Sequence, residues 1–244
     1  MRYPQFQFTG GIFAALLFMF VLLFLFVFLP VSIVAEAFSK LGLTPAQGVL
    51  IFIAILIGRG VNVPVYTSKR LVVVPKPRSL QFTLDEYGRP VQLDDEPGNE
   101  VKKQSFLLNL GGCIMPILLS LTFLISLQFN GMDSSAYGWI GFALVMVAGG
   151  CYAMAKADPY TGLRVPMFMP GLMTFASVYF FVPQEFRPVA AYVAGTIGTL
   201  IGGNLIPLFT PRIRNAVGVP NVVIGGAGTF GGVFVAGILA VLLA

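Results

Sequence analysis

The sequence predicts an all-α transmembrane fold of about seven spanning helices, with a glycine-rich, broken last helix and a small β-containing loop on the cytoplasmic side. Three observations lead there. Hydrophobic residues make up 57% of the 244, and only 15 Lys and Arg and 10 Asp and Glu are present, whereas a soluble domain carries roughly a quarter of its residues charged. Those charges cluster, because the segment Val65–Gln104 holds 13 of the 25. Seven apolar stretches approach the ~20 residues that cross a bilayer as a helix.

The stretches are Gly11–Ala37, Leu41–Gly58, Ser105–Phe129, Ala136–Ala155, Val165–Val182, Val189–Phe209 and Val222–Ala244. The second is short and ends at Arg59, and the fifth contains Pro166 and Pro170, so six spans is the rival count. Basic residues collect on cytoplasmic loops. With seven spans, one face holds Arg2, Arg59, Lys69, Arg70, Lys76, Arg78, Arg89, Lys102, Lys103, Lys156, Arg164, Arg212 and Arg214, and the other only Lys40 and Arg187. This segregation puts the N-terminus inside and the C-terminus outside. Ala35-Glu36-Ala37 has the form of a signal-peptidase site, but the preceding apolar run exceeds the usual 7–15 residues of a signal peptide.

Three regions follow. Residues 1–64 carry two N-terminal spans, 65–104 form the cytoplasmic loop, and 105–244 form a five-helix region. In the loop, Leu71–Val74, Leu80–Thr83 and Val91–Leu93 read as short strands, and Tyr87-Gly88-Arg89-Pro90 as a turn. The run Asp94–Glu100 reads as a solvated linker, since its acids lack the spacing of a calcium loop.

Inside lipid every polar group needs an internal partner, so polar side chains and helix breakers there are informative. Asn109, before Gly111, Gly112 and Pro116, suits a cap at a kink or a cavity wall. Gly195, Gly198, Gly202 and Gly203 place small residues at the spacing that lets helices approach closely. Gly225, Gly226, Gly228, Gly231 and Gly232 crowd the start of the last span and predict an unwound segment leading into a half-helix near Phe230. These glycines read first as packing residues. The alternative is that the broken helix offers free N–H groups to an anionic solute, with Asn204 and Thr229 as side-chain ligands. Arg59 and Asn62 read as interfacial, and Asp158 and Arg164 as a weak surface pair.

The chemistry is narrowed by what is missing from the composition. The chain has no histidine, two cysteines (Cys113 and Cys151) inside apolar runs, no phosphate-binding glycine loop with a following Lys, and no pair of acids at membrane depth. Triad hydrolysis, zinc or haem sites, nucleotide hydrolysis and aspartyl proteolysis therefore lack their residues. The expectation is no catalytic residue, no metal and no cofactor. A net charge of +5 on loops also gives no basic face for nucleic acid. The expected partners are the lipid bilayer and other membrane subunits or a second copy.

The motifs Asn109-Leu110-Gly111-Gly112-Cys113-Ile114-Met115-Pro116, Val165-Pro166, Gly198-Thr199-Leu200-Ile201-Gly202 and Gly225-Gly226-Ala227-Gly228-Thr229-Phe230 together resemble the DUF1614 family of prokaryotic multi-pass membrane proteins. The resemblance covers most of the chain outside 65–104, and the C-terminal glycine motif is its most specific part. It implies a multi-pass fold in a prokaryotic cell membrane. Members of that family resemble one another in carrying an acid after the Leu-Ile-Gly stretch and another after Gly-Thr-Phe. Here those positions hold Asn204 and Gly231, so presenilin-like chemistry in relatives would be lost in this chain. The leading expectation is a non-catalytic structural or accessory subunit of a membrane complex. A solute- or lipid-binding transporter is the alternative, and a protease-like enzyme without its aspartates the weaker one.

Overall fold

The computed structural model of the protein describes residues 11–75, 81–84, 89–93, 99–129 and 134–244. The expected turn residues Tyr87 and Gly88, most of the acidic run at 94–98, and Arg2, Lys76 and Arg78 lie outside these. The chain divides into two compact units, Met1–Ile53 and Ala54–Ala244.

In the first unit, α1 (Gly11–Leu23) passes through a π-helical turn, Phe24–Phe28, into α2 (Leu29–Lys40). The sequence is apolar on every side, and large side chains from Leu16 to Leu29 are exposed around the whole helix. The π turn has a local cause. Pro30 lacks an N–H and its ring crowds the carbonyl four residues back, so the turn before it widens, and the Leu29 N–H bonds to the Phe24 carbonyl. Gly42, at φ +86°, reverses the chain where a Cβ would be strained. The first turn of α3 (Pro45–Gly58) is closed by a reciprocal capping box, with the Thr44 N–H on Gln47 Oε1 at 2.9 Å and the Gln47 N–H on Thr44 Oγ1 at 3.3 Å.

The second unit is a helical bundle with a β-sheet at one end. Strand β1 (Asn62–Pro75) pairs antiparallel with β4 (Asn99–Asn109), and β4 pairs parallel with β7 (Asn221–Ile224), giving the order β1-β4-β7. Two further pairs stand apart: β2 (Gln81–Leu84) with β3 (Pro90–Leu93), and β5 (Lys156–Asp158) with β6 (Gly162–Arg164). The helices are α4 (Met115–Phe129), α5 (Ser135–Met154), α6 (Met169–Phe181), α7 (Arg187–Leu200), the short α8 (Ile206–Phe209) and α9 (Pro211–Ala216), and α10 (Phe230–Leu243). Helix α7 packs against α4, α5, α6 and α10. Ten of its 14 residues are buried, which its small side chains and the absence of charge after Arg187 permit. Arg187 at its start ties the preceding helix end, donating to the Val182 carbonyl at 3.1 Å and the Tyr179 carbonyl at 3.0 Å.

Two more π turns interrupt the bundle, Leu110–Ile114 and Ile201–Leu205. Each stands two residues before a proline, Pro116 and Pro207, as the first stands before Pro30. The same steric cause therefore accounts for all three. The widened turn at 201–205 buries Gly202, Gly203 and Asn204 in succession and so continues the burial of α7.

The all-α seven-span expectation is overturned in two respects. A three-stranded mixed sheet is part of the fold, and it draws on residues the apolar pattern assigns to spans: β4 runs to Asn109, inside the predicted third span, and β7 covers the start of the predicted seventh. Ser105–Asn109 is an apolar run because it lies in the middle strand of the sheet, and a short apolar run does not distinguish a buried strand from a helix. Among the described residues, four helices are long and apolar enough to cross a membrane: Phe13–Lys40, Leu110–Phe129, Ser135–Met154 and Gln184–Phe209. The helices Pro45–Gly58, Met169–Phe181 and Phe230–Leu243 are shorter. At 13 or 14 residues each they measure about 20 Å against a hydrocarbon core of about 30 Å. The chain is a membrane protein, but the opposite-side placement of its ends rested on the seven-span count and falls with it.

Close packing of α5 on α7 makes a pair of glycines unequal. A Cβ on Gly202 would collide with the Ala148 carbonyl, whereas one on Gly149 meets nothing within 4 Å. Gly202→Ala should lower the thermal midpoint, with a cost of about 1–3 kcal/mol from overpacking. Gly149→Ala should leave it unchanged or raise it by up to about 1 kcal/mol of helix propensity. Thermal unfolding of the two purified variants in one detergent checks the contrast.

Candidate functional site

The loop Gly225–Thr229, between β7 and α10, is where the sheet meets the bundle. Gly225 has φ +72°, and a Cβ there would lie 2.5 Å from the Gly112 backbone. In the other direction a Cβ on Gly112 would strike the Gly225 carbonyl. Gly111 faces the end of α3 in the same way, against the Ile55 carbonyl and Gly58. Three chain segments are thus in backbone contact, with glycine on both sides where Gly112 meets Gly225 and Gly58 meets Gly111, and on one side where Gly111 meets the Ile55 carbonyl.

Asn109 and Asn204 flank this junction from the two π turns. Asn109, 2% exposed, is the N-cap of Leu110–Ile114. Its Oδ1 accepts from the Gly112 N–H at 2.7 Å, and its Nδ2 donates to the Arg59 carbonyl and to Asn62 Oδ1, each at 2.8 Å. Asn204 is fully buried. Its Oδ1 accepts from Thr229 Oγ1 at 3.2 Å and from the Gly225 N–H at 3.4 Å. Thr229 is the N-cap residue of α10. Asn204 Nδ2 is buried without a hydrogen-bond partner among the described residues.

The expected site residues therefore fall into two groups. Asn204, Thr229, Gly225 and Asn109 converge on one loop, linked through the Gly112–Gly225 contact. Gly226 backs onto Val223, Gly228 onto the Leu163 carbonyl and Thr161 Oγ1, and Gly203 onto Val165. Gly231 faces Met167, and the buried Gly232 faces Pro170 and Thr199. Gly195 and Gly198 lie away from the junction, against Ala236 of α10 and Val147 of α5.

Two clefts open beside the loop. One, of about 420 Å³, is lined by Asp158, Thr161, Arg164, Val165, Gly228 and Gly231, among others. The second, of about 210 Å³, is lined by Arg59, Asn62, Asn109, Thr161, Gly226 and neighbours. Asn204 and Thr229 are not among the wall residues of either. Arg59 is held with its guanidinium 5.0 Å from the centre of the Phe230 ring, a cation–π contact. Asp158 does not form the pair with Arg164 that its position in the sequence suggests. Its Oδ1 instead closes the β5–β6 turn, accepting from the Thr161 N–H at 2.8 Å, the Tyr160 N–H at 2.9 Å and Thr161 Oγ1 at 3.1 Å. These donors, the Thr161 amide foremost, hold the carboxyl below its ordinary pKa.

Sequence reasoning overlooked Gln104, which is 2% exposed and donates from Nε2 to the Val219 carbonyl at 3.0 Å and the Val217 carbonyl at 3.3 Å. It anchors the approach to β7. Only its place between Lys103 and an apolar run set it apart. Also overlooked was the capping box at Thr44 and Gln47, although the Thr-x-x-Gln spacing was legible.

Asn109→Ala should cost about 1–2 kcal/mol, the value of a lost N-cap, and Asn109→Asp at least as much, because a buried carboxylate oxygen would replace the donor that faces the Arg59 carbonyl and Asn62 Oδ1. Chemical or thermal unfolding of both variants measures the order. For Asp158 the lowered folded pKa means the turn is supported above the ordinary carboxyl range and loses that support as pH falls through the lowered value. Amide exchange at Tyr160 and Thr161 should accelerate on that acidification, relative to base rates at each pH, and should be fast at neutral pH in Asp158→Ala.

The sequence profile of the DUF1614 family, described as proteins of unknown function, matches residues 56–243. No curated protein and no solved structure matches the chain. The matched segment takes in the sheet, both clefts and the whole Gly225–Thr229 junction, and the chain belongs to the DUF1614 family.

Proposed function

We propose that this protein is a non-catalytic structural or accessory subunit of a complex in a prokaryotic cell membrane, with its basic sheet end in the cytoplasm. The observation that carries this reading is the engagement of the intramembrane polar groups with one another. Asn109 spends its oxygen on Gly112 and its amide on Arg59 and Asn62, and Thr229 spends its hydroxyl on Asn204. Groups committed in this way hold a scaffold together. Asn204 and Thr229 line neither cleft, and Asn109 and Asn62, at the wall of the smaller one, already have these hydrogen bonds made. A second support is the helix Phe13–Lys40, of which only 6% of the apolar window is buried. A surface of that kind suits lipid or the helix of another subunit. The basic residues Lys69, Lys102, Lys103, Lys156, Arg212 and Arg214 around the sheet and α9 support the cytoplasmic side.

Gentle extraction from the native membrane, followed by native mass measurement and identification of co-purifying chains, tests the proposal. Stoichiometric partner subunits are expected, and a photo-crosslinking side chain in place of Phe20 should capture one of them. A monomer whose Phe20 position crosslinks to lipid alone would sink the reading.

One feature favours the solute- or lipid-binding alternative, namely the unpartnered Asn204 Nδ2 beside the N-terminus of α10. Buried donors are nearly always bonded. Asn204→Leu separates the two readings: a scaffold role predicts a lowered unfolding midpoint with partners retained, and a binding role predicts loss of a co-purifying small molecule.

A further inference from the structure

The β1–β4 ribbon has one face turned inward and one outward, and the outward face is unusual. Residues opposite each other in an antiparallel pair share a face. Val72 lies opposite Lys102 and is 5% exposed, on the side of the buried Gln104. The other face carries Leu71 opposite Lys103 and Val73 opposite Val101. There Leu71 is 61% exposed, Val73 60% and Val101 57%. Three large aliphatic side chains therefore form a contiguous exposed patch, which a soluble surface seldom keeps without use.

We propose that this face rests on the anionic headgroup layer of the bilayer that the protein itself crosses. Continuity is the first argument. Val101, Lys103, Ser105 and Leu107 alternate onto the same face of β4, and β4 passes at Asn109 directly into the membrane-crossing helix Leu110–Phe129. The exposed patch ends at Lys103, seven residues before Leu110, and the half-buried Ser105 and Leu107 carry the same face toward the helix. Two register shifts in β1, at Pro64/Tyr66 and Thr67/Leu71, supply the bend needed to lay the ribbon on a surface.

Charge is the second argument. On the opposite face the carboxylate of Glu100 is taken by Lys102 at 3.0 Å. Lys103 stands on the apolar patch, and Lys69 is exposed in the adjoining bulge. Apolar side chains set among lysines match a headgroup layer, where the aliphatic groups enter the acyl boundary and the ammonium groups meet phosphate. A second copy of the ribbon is the poorer occupant, since a two-fold pairing would set Lys103 and Lys69 of both copies around one patch.

The test places a single fluorophore on the full chain through Val73→Cys, with Glu100→Cys as the opposite-face control. Cys113 and Cys151 are buried and leave the label to the introduced thiol. The protein is reconstituted in phosphatidylcholine vesicles with or without phosphatidylglycerol, each containing a headgroup-attached quencher lipid. In phosphatidylglycerol vesicles the label at 73 should be quenched severalfold more than at 100. Lys103→Gln should shift the bound-to-free ratio of the face about fivefold toward free, as loss of a surface cation implies, and raised salt should act in the same direction. Equal quenching at the two positions would overturn the proposal. So would shielding at 73 that tracks protein density and ignores lipid composition, which is the signature of a second copy.

Discussion

Backbone contact at the junction of sheet and bundle is the constraint on which the rest of the structure depends. Gly112 and Gly225 meet with no room for a Cβ on either side, and Gly111 meets the end of α3 in the same manner. Such an approach leaves peptide groups without water to bond them. The flanking residues are therefore polar: Asn109 takes the Gly112 N–H and Asn204 the Gly225 N–H. The glycines allow the segments to touch, and the two asparagines satisfy what the contact strips of solvent. Sheet, loop and two helices are fixed together by this arrangement, which is why β7 can be the parallel partner of a strand more than a hundred residues earlier.

Proline sets where the asparagines can act. Pro116 and Pro207 each follow a π turn, and each turn carries one residue that meets the loop, Gly112 in the first and Asn204 in the second, while Gly111, Gly202 and Gly203 pack on α3, on α5 and on Val165. A π turn spreads its residues over a wider turn than the 3.6-residue α-helix, so a proline at this distance alters the register of its helix where sheet and bundle meet. The third instance, before Pro30, lies in an exposed helix and shows that the effect is local to the proline and independent of what packs around it.

The outer parts of the molecule follow from these fixed points. Arg70 of β1 donates to the carbonyls of Arg214 and Asn215 at the end of α9, and Gln104 holds the segment that leads into β7. Leu163, Val217, Val219 and Val222 bury a small core beside them. Together these contacts build an ordered basic end from pieces far apart in the chain, whose lysines and arginines face outward.

The membrane character was legible in composition and in the long apolar runs, because burial in lipid leaves no alternative to such runs. Legible too were the broken start of the last helix, from the five glycines between Gly225 and Gly232, and the three polar positions Asn109, Asn204 and Thr229, which stand out against an apolar background. The extent of the sheet was not. Phe106, Leu107 and Leu108 read equally as helix or buried strand, and β7 supplies just four residues whose partner lies over a hundred positions away. Parallel pairing leaves no hairpin signal to read. The helix count failed for the same reason, since apolar content marks what is buried without saying whether lipid or protein does the burying. Tertiary structure alone decided which glycines touch, that Asn204 bonds Thr229 across the junction, and that Leu71, Val73 and Val101 share an outward face, because each depends on a register or an approach between segments that local sequence does not encode.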